Sequence, residues 1–193
     1  MDRQADLFGA PAPVLPEGFA LRESFIDAAE EAALLRAIDA LPLEEAVYRQ
    51  YTARRRIASF GSRYDFAGGR LLPADPLPAF LGPLRERAAR WAGVEPEAFS
   101  SALVAEYRPG TPLGWHRDVP EHELIFGVSL ASAARMRLRR WPPVNPRKAD
   151  VISVKLSPRS AYVLRGVARW GWQHSIAPTK ALRYSVTLRT RKV

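Results

Sequence analysis

The chain has 193 residues, 47% of them hydrophobic, with 29 Lys+Arg against 20 Asp+Glu and a formal net charge of +9. That length suits one domain with its own core, and the absence of cysteine excludes a disulfide framework and thiolate-held zinc or iron–sulfur centres. Of the basic residues 25 are arginine, and an Arg-rich basic surface is the electrostatic footprint of a polyanion binder.

Residues 1–20 are punctuated by Pro and Gly and read as a flexible lead-in to a single domain over 21–193. No charged segment followed by an apolar run opens the chain, and no stretch approaches the roughly 20 apolar residues of a membrane span. The expectation is a cytoplasmic monomer with no membrane contact. Asp27 has the character of an N-cap, and the acids and apolar spacing of residues 28–41 predict a helix ending before Pro42. A second helix is expected within 75–92, Pro-broken at first and regular from Leu84 to Trp91, with Gly93 at its C-terminal cap. After residue 100 short β-prone runs recur at 102–107, 124–130, 135–141, 150–156, 161–165, 170–176 and 182–190. The fold class is therefore α+β, mainly β: a jelly-roll (double-stranded β-helix) core with N-terminal helices packed on one sheet.

The chemistry concentrates in two places. His116 and Asp118 stand two residues apart, so in extended chain both side chains face one way and grip one metal. His174 lies in the strand-like WGWQHSI, followed by Arg183 and Arg189. Two imidazoles and one carboxylate with open positions form the facial triad of non-haem Fe(II) oxygenases, leaving room for a 2-oxo acid and O2. An arginine suits the far carboxylate of such an acid. Arg183 and Arg189 share a strand face about 20 Å apart at full extension, so they address different ends of a site. His122 is an alternative second imidazole, but PEHEL is flanked by acids and reads as a solvated loop.

With these residues in view, the chain resembles the AlkB family of Fe(II)- and 2-oxoglutarate-dependent dioxygenases. EYRPGTPLGWHRD is similar to its Tyr-x-Pro-Gly…His-x-Asp segment, QHSI to its second-histidine strand, and RYSVTLR to its Arg-x-Asn-x-Thr-x-Arg signature. The resemblance implies iron held by His116, Asp118 and His174, Arg189 on the far carboxylate of 2-oxoglutarate, Arg183 near the triad, and Tyr107 and Ser185 as further co-substrate contacts. It departs from the family at Ser185 and Ala105, where the family has asparagines, and at Pro120, where some DNA-repair members carry an acid.

By position, residues 45–70 correspond to the family's nucleotide-recognition lid. There Arg54, Arg55 and Arg56 would neutralise phosphates, and Tyr51, Phe60 and Tyr64 would stack on a base. Arg137, Arg139 and Arg140 form a second basic strand, with Arg137 and Arg139 on one face and Arg140 on the other. Gln4–Phe8 resembles a short peptide that docks sliding clamps. The implied activity is oxidative demethylation of alkylated nucleic-acid bases, releasing succinate, CO2 and formaldehyde. The alternatives are the same chemistry on tRNA or protein side chains, or a catalytically silent nucleic-acid-binding module.

Overall fold

The computed structural model describes residues 14–48 and 51–192. The Gln4–Phe8 peptide lies outside the described residues, as does the side chain of Tyr51. In chain order the elements are β1 (Phe19–Arg22), α1 (Ala28–Asp39), β2 (Glu44–Tyr48), β3 (Tyr51–Phe60), β4 (Ser62–Asp65), β5 (Arg70–Pro73), α2 (Gly82–Ala92), β6 (Phe99–Tyr107), β7 (Leu113–His116), β8 (His122–Leu130), β9 (Ala134–Arg140), β10 (Ile152–Leu156), β11 (Ala161–Leu164), α3 (Gly166–Trp170), β12 (Trp172–Ile176) and β13 (Arg183–Arg191). A seven-stranded sheet of order β1-β11-β8-β13-β6-β3-β2 faces a four-stranded sheet of order β10-β9-β12-β7, with β4–β5 as a separate hairpin.

Both helices form where the sequence places them. Asp27 caps α1 in a reciprocal box: its carboxylate accepts from the Glu30 amide at 2.8 Å, and the Glu30 carboxylate accepts from the Asp27 amide at 2.9 Å. Gly93 ends α2 at φ +70°, a conformation that favours glycine. Leu34, Ile38, Leu84 and Ala88 pack on Phe126, Val128, Val186 and Leu188 of the large sheet. Each such fully buried Leu, Ile or Phe contributes roughly 1.5–3 kcal/mol. Glu31 ties α1 to the β-core by accepting from the Ala131 amide and from Arg159, at 2.9 and 2.8 Å.

The alternate residues of the same strands face the other sheet. Ile125, Met136, Leu138, Leu156, Leu164, Trp172 and Ile176 form the core between the two layers. On β13 the period of two is complete: Val186 and Leu188 turn to the helices, while Arg183, Ser185, Thr187 and Arg189 turn to the space between the sheets.

The structure changes the sequence reading at four points. Phe19, inside the stretch read as a lead-in, is buried and pairs with Leu164 in β1. The turn-rich 107–118 segment contains a strand, β7. A short helix, α3, fills the gap between the strands expected at 161–165 and 170–176, and β12 begins two residues later than expected. His122, read as a solvated loop residue, is buried and opens β8, one strand of the large sheet's centre.

Candidate active site

Strand pairing assembles the metal-ligating group. β7 and β12 are adjacent and antiparallel, with His116 directly opposite His174. Their rings approach to 4.2 Å between centroids. Asp118 follows β7 and reaches to 3.6 Å from His174 Nε2. One donor atom from each of His116, Asp118 and His174 lies within 4.8 Å of the others, a spacing one metal ion bridges.

The electrostatics suit a cation. Burial pushes the His174 ring down to about 3, with the neighbouring His116 adding to it. Burial also lowers His116. For Asp118 burial works the other way, but Arg189 and His174 outweigh it and hold the carboxyl well below the usual range. The site thus offers two neutral imidazoles and one carboxylate, the protonation states a metal requires. His116 Nδ1 lies 2.9 Å from the Gly114 carbonyl, which only accepts, so the proton sits on Nδ1 and Nε2 is left for ligation.

The two arginines occupy opposite ends, in the reverse of the expected order. Arg189, not Arg183, stands at the triad: its Nε donates to Asp118 Oδ1 at 2.9 Å. Register fixes this, since Arg189 pairs with Ser101 and Ile125 while Arg183 pairs with Tyr107 at the other end of β6. Arg183 is 2% exposed, lies 4.9 Å over the Tyr107 ring and donates from Nε to Ser129 Oγ at 3.0 Å. Its Nη1 is buried without a hydrogen-bond partner among the described residues. Tyr107 and Ser185 are buried beside it. Burial raises the Tyr107 hydroxyl, yet Arg55 and Arg183 prevail and the net shift is downward.

The arginine run of the lid segment does not act as one patch. Arg54 is exposed. Arg55 turns inward and donates from Nη1 to the Tyr107 hydroxyl at 3.5 Å. Arg56 donates to the Leu43 carbonyl and pairs with Glu106 at 3.4 Å. Alternation along β3 divides them, and β3 pairs with β6 as part of the large sheet. Phe60 packs against the helix-side core instead of standing free to stack. Tyr64 makes an edge contact with Phe66 at 5.0 Å in the β4–β5 hairpin.

Two residues at the site, Tyr162 and Arg169, are not singled out by the sequence. Tyr162 lies against Gly127 so closely that any β-carbon there would overlap its ring. Burial raises the Tyr162 hydroxyl, and Asp118 adds to the shift, which places it in the triad's field. A glycine inside the apolar LIFGVSL was the available signal, since strand glycines mark close approach. Arg169 on α3 is buried and its Nη2 donates to the carbonyls of Asp118, Val119 and His122 at 3.1, 2.7 and 2.8 Å. Nothing in the local sequence distinguishes it from the other arginines. His122 lies beside this network, its ring pushed down to about 4 by burial and by Arg189.

A double-stranded β-helix that holds His-x-Asp…His between its sheets defines a class, the non-haem iron oxygenases. The chain belongs to the 2OG-Fe(II) oxygenase superfamily, whose family model matches residues 24–189. It is thus an oxygenase using Fe(II), 2-oxoglutarate and O2, and the His116–Asp118–His174 group fits the iron. The chain is 31% identical to the alkylated DNA repair protein ALKBH8 homolog of Arabidopsis thaliana, over 82% of this chain and 50% of that one. It is 24% identical to the tRNA (carboxymethyluridine(34)-5-O)-methyltransferase alkbh8 of Xenopus tropicalis, over 88% of this chain and 26% of that one. The chain therefore spans half or less of the length of these relatives. In fold it matches the structure of OsALKBH1 with TM-score 0.70 and 15% identity, covering 92% of this chain and all of that one. A prolyl-4-hydroxylase from Pseudomonas putida matches with TM-score 0.56 and 17% identity, covering 91% of this chain and 93% of that one.

Proposed function

We propose that this oxygenase removes N-alkyl groups from nucleic-acid bases. The observation that carries the reading is the similarity, over most of this chain, to a relative named as an alkylated-DNA repair protein. The net charge of +9 and the exposed Arg54 support a polyanionic substrate.

His116, Asp118 and His174 would hold the iron. When bound, the metal supplies activation of O2 coupled to conversion of 2-oxoglutarate into succinate and CO2. Asp118 stays ionised because Arg189 donates to one of its oxygens, which leaves the other for the metal. Arg183 is a buried cation with no carboxylate partner among the described residues, a costly arrangement that a carboxylate ligand relieves. It is thus suited to the far carboxylate of 2-oxoglutarate, with the Tyr107 hydroxyl beside it. Strand register supports exchanging the roles expected of Arg183 and Arg189.

The test is formaldehyde release from methylated single-stranded DNA, duplex DNA, tRNA and peptides. The expected result is release from a methylated nucleic acid, reduced to background in His116→Ala. Release from a methylated peptide and from no nucleic acid would overturn the proposal. The name of the Xenopus relative favours tRNA as a second reading, and Pro120, exposed where some DNA-repair members carry an acid, leaves room for it.

A further inference from the structure

The outer face of the four-stranded sheet concentrates positive charge away from the triad. On β9, Ala134, Met136 and Leu138 enter the core between the sheets, so Arg135, Arg137 and Arg139 point outward. On β10, Val154 and Leu156 point inward and leave Ser153 and Lys155 on the same outer face. β12 adds Gln173 and Ser175, and β7 adds Trp115. None of these four strands contains Asp or Glu.

Two of the arginines are held in place before any ligand arrives. Arg137 Nε donates to Ser175 Oγ at 3.0 Å, and Arg139 Nε donates to Gln173 Oε1 at 2.8 Å. The Trp115 ring lies 5.1 Å from the Arg137 guanidinium and 4.3 Å from that of Arg139. Neither forms an ion pair among the described residues. Anchoring through Nε and the indole leaves the paired Nη groups, the fork that recognises phosphate. It also lowers the side-chain entropy lost on binding. Same-face neighbours on a strand repeat roughly every 6.7 Å, which sets a row of evenly spaced cations against a row of phosphates.

We propose that this face binds the sugar–phosphate backbone of the substrate strand, flanking the base held at the triad. The inference rests on the nucleic-acid reading of the active site. The two regions are opposite sides of one sheet: Trp115 and His116 are consecutive on β7, and β7 is its edge strand. A strand with one base at the triad continues around that edge onto the arginine row.

The experiment measures binding of the full chain to a labelled single-stranded oligonucleotide bearing one methylated base, across a salt series. The Arg137→Gln/Arg139→Gln pair is expected to lower the log–log salt slope by about 1.4, since each single-strand phosphate contact contributes about 0.7. Its KM for the oligonucleotide rises several-fold, while turnover of a methylated nucleoside stays unchanged. Arg135→Gln/Lys155→Gln removes two exposed charges without touching Ser175 or Gln173, and is expected to act in the same direction. An unchanged slope in both pairs overturns the proposal, as does equal weakening of polyglutamate binding, which would mark a site for acidic proteins. Wild-type protein that demethylates a nucleoside but binds no oligonucleotide refutes this face alone. Wild-type protein that binds oligonucleotides through this face yet demethylates no base refutes the demethylase reading and leaves the face standing.

Discussion

Arg183 and Arg189 have the same side chain on the same strand face, yet their environments differ. Arg189 is neutralised by Asp118 at 2.9 Å, whereas Arg183 is buried against Tyr107 and Ser129 with an unpartnered Nη1. Arg183→Ala is therefore expected to raise KM for 2-oxoglutarate by roughly 30-fold, about 2 kcal/mol for a desolvated carboxylate contact, with iron binding retained. Titrating 2-oxoglutarate against succinate formation checks it; an unchanged KM would show that the co-substrate lies elsewhere. The identity of both arginines was legible in RYSVTLR, as were His116, Asp118 and His174. Which arginine meets the triad was not. Six residues of strand are the same read from either end, and only pairing of β13 with β6 and β8 sets its position relative to β7 and β12.

At the scale of elements, the short helix α3 holds the segment that carries Asp118. Three carbonyls of residues 118–122 converge on Arg169 Nη2. Removing the guanidinium strands those acceptors in a buried place, a cost of about 1–3 kcal/mol for each group left unpaired. Arg169→Ala is expected to weaken Fe(II) binding by 10–100-fold, the usual effect of losing a group that orients ligands, with Arg169→Lys recovering part of it. Fluorescence titration with a divalent metal reads this out, and wild-type affinity in the alanine variant would refute the role. The helices α1 and α2 were legible because caps and periodicity are local. β7 was hidden because Pro109, Gly110 and Pro112 crowd the segment leading into it and Gly114 lies within its four residues. α3 was hidden because five residues give no periodicity to read.

Across the whole molecule, the buried imidazoles couple stability to pH. In the metal-free protein the His174 ring is pushed to about 3 and His122 to about 4, while an unfolded chain titrates histidine near 6.5. Between those values the unfolded chain binds more protons, so stability is full above pH 6.5 and falls as pH drops below it. His174 alone removes about 2 kcal/mol between pH 7 and pH 5. Urea unfolding of metal-free protein at the two pH values measures the loss, and equal stability at both would contradict the burial of these rings.

The sequence by itself determined the chemistry: the three side chains that fit a metal ion, the absence of thiolate alternatives, the basic surface and the alternating strands. These are properties of residue type and short-range spacing, which a one-dimensional string preserves. Tertiary structure decided what that chemistry faces. It set Arg189 against Asp118 and Arg183 away from it. It divided Arg54, Arg55 and Arg56 among solvent, site and core edge, brought Tyr162 over Gly127, and buried His122 beneath residues distant in sequence. Each of these depends on which strands pair and in what register. A shift of one residue would turn every one of those side chains to the opposite face.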